Sequence, residues 1–267
     1  MDELSRLRKS IDECDRELIK VFKKRLNLVR RIIEVKRKSG QSILSPEREK
    51  QVIENAKNNI KDDDYKIEAE KFIEQVLKLS RGYMSRKLFP YNIVLTGFMG
   101  SGKTAVGNEL AKVLEMNYAD SDVAIEKEAG MSINKIFKTH GESYFRAMEK
   151  DIICRLGQLS NTIIITGGGS VMDPDNVKCL KENGIVVFLD AEPEIIYERI
   201  KDDENRPLLN GNMSIETINE LYQRRIDTYN SSADIIINTN EDSLSRITSE
   251  IINQLYNMSN ALTASSI

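Results

Sequence analysis

Tryptophan is absent from the 267 residues, histidine occurs once and cysteine three times. The lone His140 excludes a histidine-cluster metal site and any mechanism that needs a pair of imidazoles. Cys14, Cys154 and Cys179 are scattered without C-x-x-C spacing, so free thiols on helices are expected rather than a metal or redox centre. No apolar run approaches ~18 residues, and the first residues lack a charged-then-apolar pattern. Neither a membrane span nor a signal peptide is expected, and the protein reads as cytoplasmic. Also missing is a basic block with interleaved aromatics, the usual footprint of a nucleic-acid binder.

What is present is ordinary for a soluble globular chain, 40% hydrophobic and 30% charged, at a length that allows two domains. The net charge of −3 hides an asymmetry. Residues 1–89 carry 23 Lys and Arg against 16 Asp and Glu, and residues 90–267 carry 16 against 26. Two domains with different partners are implied. Because the charges of the basic part alternate in sign, a small polyanionic ligand suits it as well as nucleic acid does.

One stretch carries specific chemistry. Gly97-Phe98-Met99-Gly100-Ser101-Gly102-Lys103-Thr104 has the spacing G-x-x-x-x-G-K-[ST] of a P-loop, with the apolar run 91–96 before it and a helical pattern (Val106, Leu110, Val113, Leu114) after it. Glycines let backbone N–H groups of Gly100 to Ala105 converge on phosphate oxygens, and the helix N-terminus adds positive dipole. Lys103 supplies a point charge, and the Thr104 hydroxyl can ligate Mg²⁺.

Residues 2–39 contain neither proline nor glycine, and apolar residues recur from Leu4, Leu7, Ile11, Cys14, Leu18 and Val21 to Leu28, Ile32 and Val35. Their spacing alternates three and four, which predicts one helix with a heptad seam, roughly 57 Å long at 1.5 Å per residue. That exceeds the width of a compact domain, so packing along a partner chain is expected. Arg25 interrupts the seam, while Arg8 and Lys36 lie in the adjacent row with Phe22 and Val29. An unpaired buried cation is costly, so either an anionic ligand or a carboxylate such as Asp15 or Glu49 should answer these charges. Gly40 ends the helix, Ser45-Pro46-Glu47 starts a second with Ser45 as N-cap, and a third covers about 64–84.

Together, Leu7-Arg8, Ile11-Asp12, Asp15, Arg25, Lys36, Pro46-Glu47-Arg48-Glu49 and Ser80-Arg81-Gly82-Tyr83 resemble the all-helical chorismate mutases over residues 1 to about 88. The resemblance implies an interlocked homodimer in which each site takes one first-helix Arg from the other subunit. Arg8, Arg25, Lys36 and Arg48 would hold the carboxylates and ether oxygen of chorismate, with Glu49 near its hydroxyl. Two positions depart from the family. Ser45 replaces a common Asp, and Met84 stands where a Gln donates to the ether oxygen, which a thioether cannot do. The alternative is a domain that only dimerises or senses a ligand.

After Pro90, strands alternate with helices. Asp120-Ser121-Asp122 closes a short strand beside the P-loop, and Gly141-Glu142, Phe145-Arg146 lie in helices. Thr162–Thr166 opens into Gly167-Gly168-Gly169. Residues 202–211 read as a mobile lid carrying Arg206, and Arg225 precedes Tyr229 by four. In order and spacing this series resembles the shikimate kinases across residues 91 to about 256. The resemblance implies shikimate binding by Asp122, Arg146, Gly168 and Arg225, with Asp122 on the reacting hydroxyl. It implies Mg²⁺ on Thr104 and Asp120, ATP phosphates on Lys103, lid contact through Arg206, and Arg199 on the adenine side. Lys103, Asp122 and Arg206 form the expected catalytic set.

The expected architecture is an α/β P-loop kinase with a doubly wound, mostly parallel sheet at 89–257, preceded by an all-α three-helix domain at 1–88. Residues 258–267 are expected to fray.

Overall fold

The computed structural model describes residues 2–39, 45–60, 63–201, 214–240 and 243–264. They fall into two compact units, 1–84 and 85–267. Among them no helix is long and apolar enough to cross a membrane.

The first unit consists of α1 (Glu3–Ser39), α2 (Pro46–Asn59), a short 3-10 turn (Asp63–Tyr65) and α3 (Lys66–Leu88), whose last turn belongs to the second unit. α1 is the single long helix that the unbroken 3–4 periodicity predicts. Its covered face differs from the expected seam. Leu4, Leu7, Ile11, Leu18, Val21, Leu28, Ile32 and Val35 are all about half exposed or more, from 48% to 64%. Instead Phe22, Arg25, Leu26, Val29, Ile33 and Lys36 are buried or half-buried. That row also recurs every three to four residues, and among the described residues it is the more covered of the two. α3 meets this row through Ser80, which accepts from Arg25, and Val76 and Leu77 of α3 are buried as well.

The second unit is built on a five-stranded sheet with order β2-β3-β1-β4-β5, every pair parallel. Its strands are β1 (Asn92–Thr96), β2 (Asn117–Asp120), β3 (Thr162–Ile165), β4 (Gly184–Asp190) and β5 (Ile235–Asn238). β1, β3 and β4 read as continuous Ile/Val/Leu runs because helices cover both of their faces. At the centre Ile93 lies opposite Ile163 and Ile185, and Leu95 opposite Ile165 and Val187. The edge strand β5 shows the alternating burial of a strand with one wet face. Asn92 is a polar residue in this core and is fully used: it donates to the carbonyls of Gly157 and Leu159 and accepts from the Thr162 N–H.

Around the sheet run α4 (Lys103–Leu114), α5 (Ser121–Ala129), α6 (Ile133–His140), α7 (Glu142–Gly157), α8 (Pro174–Glu182), α9 (Pro193–Ile200), α10 (Ile215–Gln223), α11 (Ile226–Ser232) and α12 (Leu244–Ala264). The main core gathers Phe98, Phe188, Tyr222 and Tyr229 with aliphatic residues of β1, β3 and β4; a smaller one joins Ile125, Ile136, Phe145 and Ile152 under α5 to α7.

Residues 85–90 belong to this unit: Leu88 and Phe89 are buried, and Asn161 donates to the Phe89 carbonyl at 2.9 Å. Two expectations are corrected. The C-terminal stretch stays helical to Ala264, because the apolar face of α12 extends through Leu255 and Tyr256 to the buried Ser259, whose hydroxyl meets the Tyr91 hydroxyl at 2.9 Å. Cys154 and Cys179 are not free thiols but a disulfide between α7 and α8. Gly157 explains their approach, since a Cβ there would lie 2.4 Å from the Cys179 carbonyl oxygen. With glycine in place the two helices come close enough for the sulfurs to meet. Cys14 is exposed and free.

Candidate functional site

The carboxyl ends of β1, β2 and β3 converge on one mouth of the sheet, the position at which open α/β folds bind ligands. β1 runs into the P-loop. Gly97 has φ +146°, and a Cβ there would meet the Leu189 carbonyl oxygen at 2.5 Å, so only glycine lets the loop turn this tightly against β4. The loop ends at the N-terminus of α4, where first-turn backbone N–H groups have no partner within the helix and the dipole is positive. Lys103 Nζ donates back to the carbonyls of Gly97 and Phe98, both at 2.9 Å. A cavity of about 380 Å³ opens here, lined by Gly100, Gly102, Lys103, Thr104, Ala105, Asp120, Asp122, Gly168 and Arg199 among others. Ser101 is excluded from this lining, being fully buried with its carbonyl accepting from the Thr239 hydroxyl. Its expected contribution to phosphate binding can only come from its backbone.

β2 delivers the two carboxylates. Asp120 caps α5 by accepting from the N–H groups of Asp122 at 2.9 Å and Val123 at 3.3 Å, through one oxygen only. Asp122 stands in the first turn of α5 with its carboxyl pKa raised from 3.8 to about 6; burial is the main cause, followed by the negative charge of Asp120, against the opposing Lys103. Two carboxylates and the Thr104 hydroxyl beside a phosphate cradle are hard oxygen donors suited to Mg²⁺. Among the described residues no cluster of three or more acidic, Cys or His side chains could cage a metal alone, so an ion held here would need ligand oxygens as well.

β3 opens into the triple glycine, and two arginines lie against it. A Cβ on Gly169 would be 3.2 Å from the Arg146 guanidinium, while Arg225 Nη1 lies 3.5 Å from the Gly168 carbonyl oxygen. The same carbonyl accepts from Tyr229, whose fully buried ring stacks on Phe188 with centroids 4.9 Å apart. Burial raises the pKa of the Tyr229 hydroxyl, so it remains a donor. Arg199 reaches from α9 to the Thr239 carbonyl at 2.6 Å. The structure therefore brings Lys103, Thr104, Asp120, Asp122 and Arg199 onto one cavity and sets Arg146 and Arg225 along the adjoining glycine loop. Arg206 lies outside the described residues.

Sequence reasoning missed Glu149. Its carboxylate is buried, accepts from Arg146 Nη1 at 2.6 Å and from the Ser170 hydroxyl at 2.7 Å, and thereby ties the arginine to the glycine loop. Burial works against the Arg146 charge, but the hydrogen bond and charge of Glu149, then of Glu142, outweigh it and raise the guanidinium pKa. The signal lay in the spacing: Glu149 falls on the same helical face as the core residues Phe145, Ile152 and Ile153, where a carboxylate without a partner would be costly.

The first unit holds a second polar cluster on the covered face of α1. Arg25 donates to the Ser80 hydroxyl of α3, which in turn donates to the Val76 carbonyl at 2.6 Å. Lys36 donates to the Ser45 hydroxyl at 2.9 Å, and Arg81 pairs with Glu49 at 2.7 Å. Burial lowers the pKa of Arg25 and of Lys36, with Glu49 partly offsetting it at Arg25. Ser45 is thus not the side-chain cap expected of it; α2 starts without one, and the hydroxyl serves Lys36. Arg48 is exposed and donates to Gln51 at 3.2 Å. Arg8 is also exposed, about 25 Å along α1 from Arg25 at 1.5 Å per residue, and cannot join the same site within one chain.

Both halves match known families. The chorismate mutase type II model matches residues 7–85, and the shikimate kinase model matches residues 99–256. The shikimate kinase of Caldicellulosiruptor bescii is 48% identical over 148 residues, 55% of this chain and 86% of the relative. That of Persephonella marina is 44% identical over 164 residues, 61% of this chain and 98% of its own. Among solved structures, the shikimate kinase of Acinetobacter baumannii in complex with shikimate is 33% identical with a TM-score of 0.62, covering 65% of this chain and 98% of that one. The shikimate kinase of Aquifex aeolicus is 36% identical with a TM-score of 0.55, over 64% and 98% respectively. A P-loop, paired aspartates and an arginine-flanked glycine loop on a 2-3-1-4-5 parallel sheet thus coincide with a family match across more than half of the sequence, and the chain belongs to the shikimate kinase family, with a chorismate mutase domain ahead of the kinase.

Proposed function

We propose that the second unit transfers the γ-phosphoryl group of ATP to a hydroxyl of shikimate. The observation that carries this reading is the single cavity on which Lys103, Thr104, Asp120 and Asp122 meet, with the glycine loop and its two arginines alongside. Arg146 and Arg225 bind the acceptor's carboxylate, and Gly168 leaves room for its ring. Asp122 orients the reacting hydroxyl and accepts its proton; a carboxyl with a pKa near 6 is mostly ionised at neutral pH and a better base than an ordinary Asp. The backbone from Gly100 to Ala105 and Lys103 bind the phosphates. Thr104 and the Asp120 carboxylate would hold Mg²⁺, which when bound neutralises charge on the transferred group. Arg206, from the lid stretch, completes that neutralisation, and Arg199 flanks the adenine. Phosphoryl transfer needs positioning and charge stabilisation more than covalent help, and this residue set supplies both.

For the first unit the proposed activity is rearrangement of chorismate to prephenate within a homodimer. The exposed apolar row of α1, from Leu4 to Val35, supports dimerisation, since such a stripe on a long helix is buried by a second copy. Arg8 then comes from the partner. The replacement of a donor by Met84 supports the second reading, a domain that binds and dimerises without turnover.

Purified protein assayed with ATP and shikimate should form ADP and phosphorylated shikimate, and Lys103→Ala should lose this by at least ~10². Retained transfer in Lys103→Ala would refute the assignment. Chorismate consumption by the same preparation decides between the two readings of the first unit.

A further inference from the structure

Within the mutase reading, Met84 leaves the breaking ether oxygen without a donor from α3. The structure offers another group on the same helix face. Arg81 precedes Met84 by three residues, so the two side chains are neighbours on α3. Arg81 also follows Ser80, the residue that receives Arg25, and it is three-quarters covered, with 26% of its side chain exposed. Its Nη1 is held by Glu49 Oε2 at 2.7 Å. Glu49 is near enough to Arg25 to act on its charge, and Ser45, which receives Lys36, lies one helical turn before Glu49. Arg25, Lys36, Glu49, Ser80 and Arg81 thus border one polar strip between α1, α2 and α3.

We infer that Arg81 is a catalytic residue of the mutase site, donating to the ether oxygen from the place that Met84 vacates. This rests on the mutase reading of the first unit. The chemistry favours the exchange. As the C–O bond breaks, negative charge grows on that oxygen, and a guanidinium stabilises it more strongly than a neutral amide. A guanidinium has five N–H donors in a planar fork, so pairing with Glu49 orients Arg81 while using part of its capacity. Glu49 then both fixes the arginine and faces the substrate hydroxyl.

The test compares chorismate turnover by the full-length wild type, Arg81→Met, Arg81→His and Arg81→Met with Met84→Gln. Arg81→Met should lower kcat about 10²–10³-fold with a smaller change in KM, and adding Met84→Gln should regain about tenfold or more of that loss by restoring a donor. Arg81→His should turn over chorismate at acid pH and lose activity as pH rises past about 6.5, where imidazolium loses its charge, with Glu49 shifting that midpoint upward. A role in packing alone would produce no such profile. Helix content by circular dichroism and kinase activity check the fold of each variant. If Arg81→Met unfolds the first unit, the Arg81→His profile decides, and a rate that stays flat between pH 5 and 9 overturns the inference. Wild-type turnover matched by Arg81→Met, or a loss confined to KM, also overturns it while leaving the mutase reading intact. No turnover by the wild type overturns both.

Discussion

Replacing Asp122 by Asn should stabilise the metal-free kinase unit at neutral pH while abolishing its activity. The folded chain raises the Asp122 carboxyl from 3.8 to about 6, first by burial and then by the charge of Asp120, with Glu149 and Glu126 adding to it and Lys103 opposing. A raised folded pKa means that ionised Asp122 costs stability. The cost is absent below about pH 4, where folded and unfolded chains are both protonated, grows between 4 and 6, and is complete above 6. At 1.36 kcal/mol per pH unit the displacement corresponds to about 3 kcal/mol, trimmed to about 2 by the partial exposure of the site. Asn mimics the protonated acid and escapes the cost at every pH. For a unit of this size about 2 kcal/mol raises Tm by roughly 4–8 °C. Thermal unfolding with a chelator present, at pH 8 and at pH 4, measures it, and the kinase transition is recognised by its upward shift with ADP. A gain of several degrees at pH 8 that vanishes at pH 4 is expected, and Mg²⁺ should shrink it by favouring the ionised acid. A gain independent of pH, or a loss at pH 8, would refute the electrostatic account. Shikimate phosphorylation by Asp122→Asn should fall by about 10²–10⁴.

Tyr229→Phe keeps the ring on Phe188 but removes the hydrogen bond to Gly168, so KM for shikimate should rise about 5–30-fold with KM for ATP unchanged; equal KM values would sink the positioning role. Glu149→Gln leaves Arg146 with a weaker partner, and should raise KM for shikimate about tenfold and lower Tm by several degrees, both read from the same preparation. Reduction of Cys154–Cys179 by a dithiol loosens α7 against α8 and should lower the Tm of the kinase unit, an effect that Cys154→Ser would remove. Acidic side chains placed in the exposed row of α1, as in Leu18→Glu with Leu28→Glu, should convert the proposed dimer to a monomer in sedimentation without loss of kinase activity.

The strand, loop and helix around residues 97–104 were legible because each local signal agreed with the next: a buried apolar run, glycines where backbone must turn, and a helix that starts at Lys103. The paired aspartates and the arginines were legible from type and order. What could not be read was which group holds which. Glu149 looks like a surface acid until the face of α7 it shares with Phe145 and Ile153 is known to be buried. Arg81 sat inside a quoted motif without a role, since its pairing with Glu49 depends on how α3 meets α2. On α1 two rows of apolar residues satisfy the same 3–4 spacing, and periodicity cannot say which row the chain covers itself. The cysteines illustrate the same limit, because their meeting depends on Gly157 as much as on their own positions. The role of Arg206 remains an expectation from the resemblance alone.

Phe89 sets where this polypeptide can be divided. Proline 90 marks an inviting border in the sequence, yet Phe89 is 1% exposed and its carbonyl is held by Asn161, so a cut at the border removes an interior residue from the kinase. Losing such an aromatic side chain costs about 3–5 kcal/mol, a large part of the stability of an ordinary domain. An excised kinase must therefore begin no later than Ser85 and carry the final turn of α3 as its own N-terminal anchor, so that in gene-design terms the module border falls inside a helix and not at the proline.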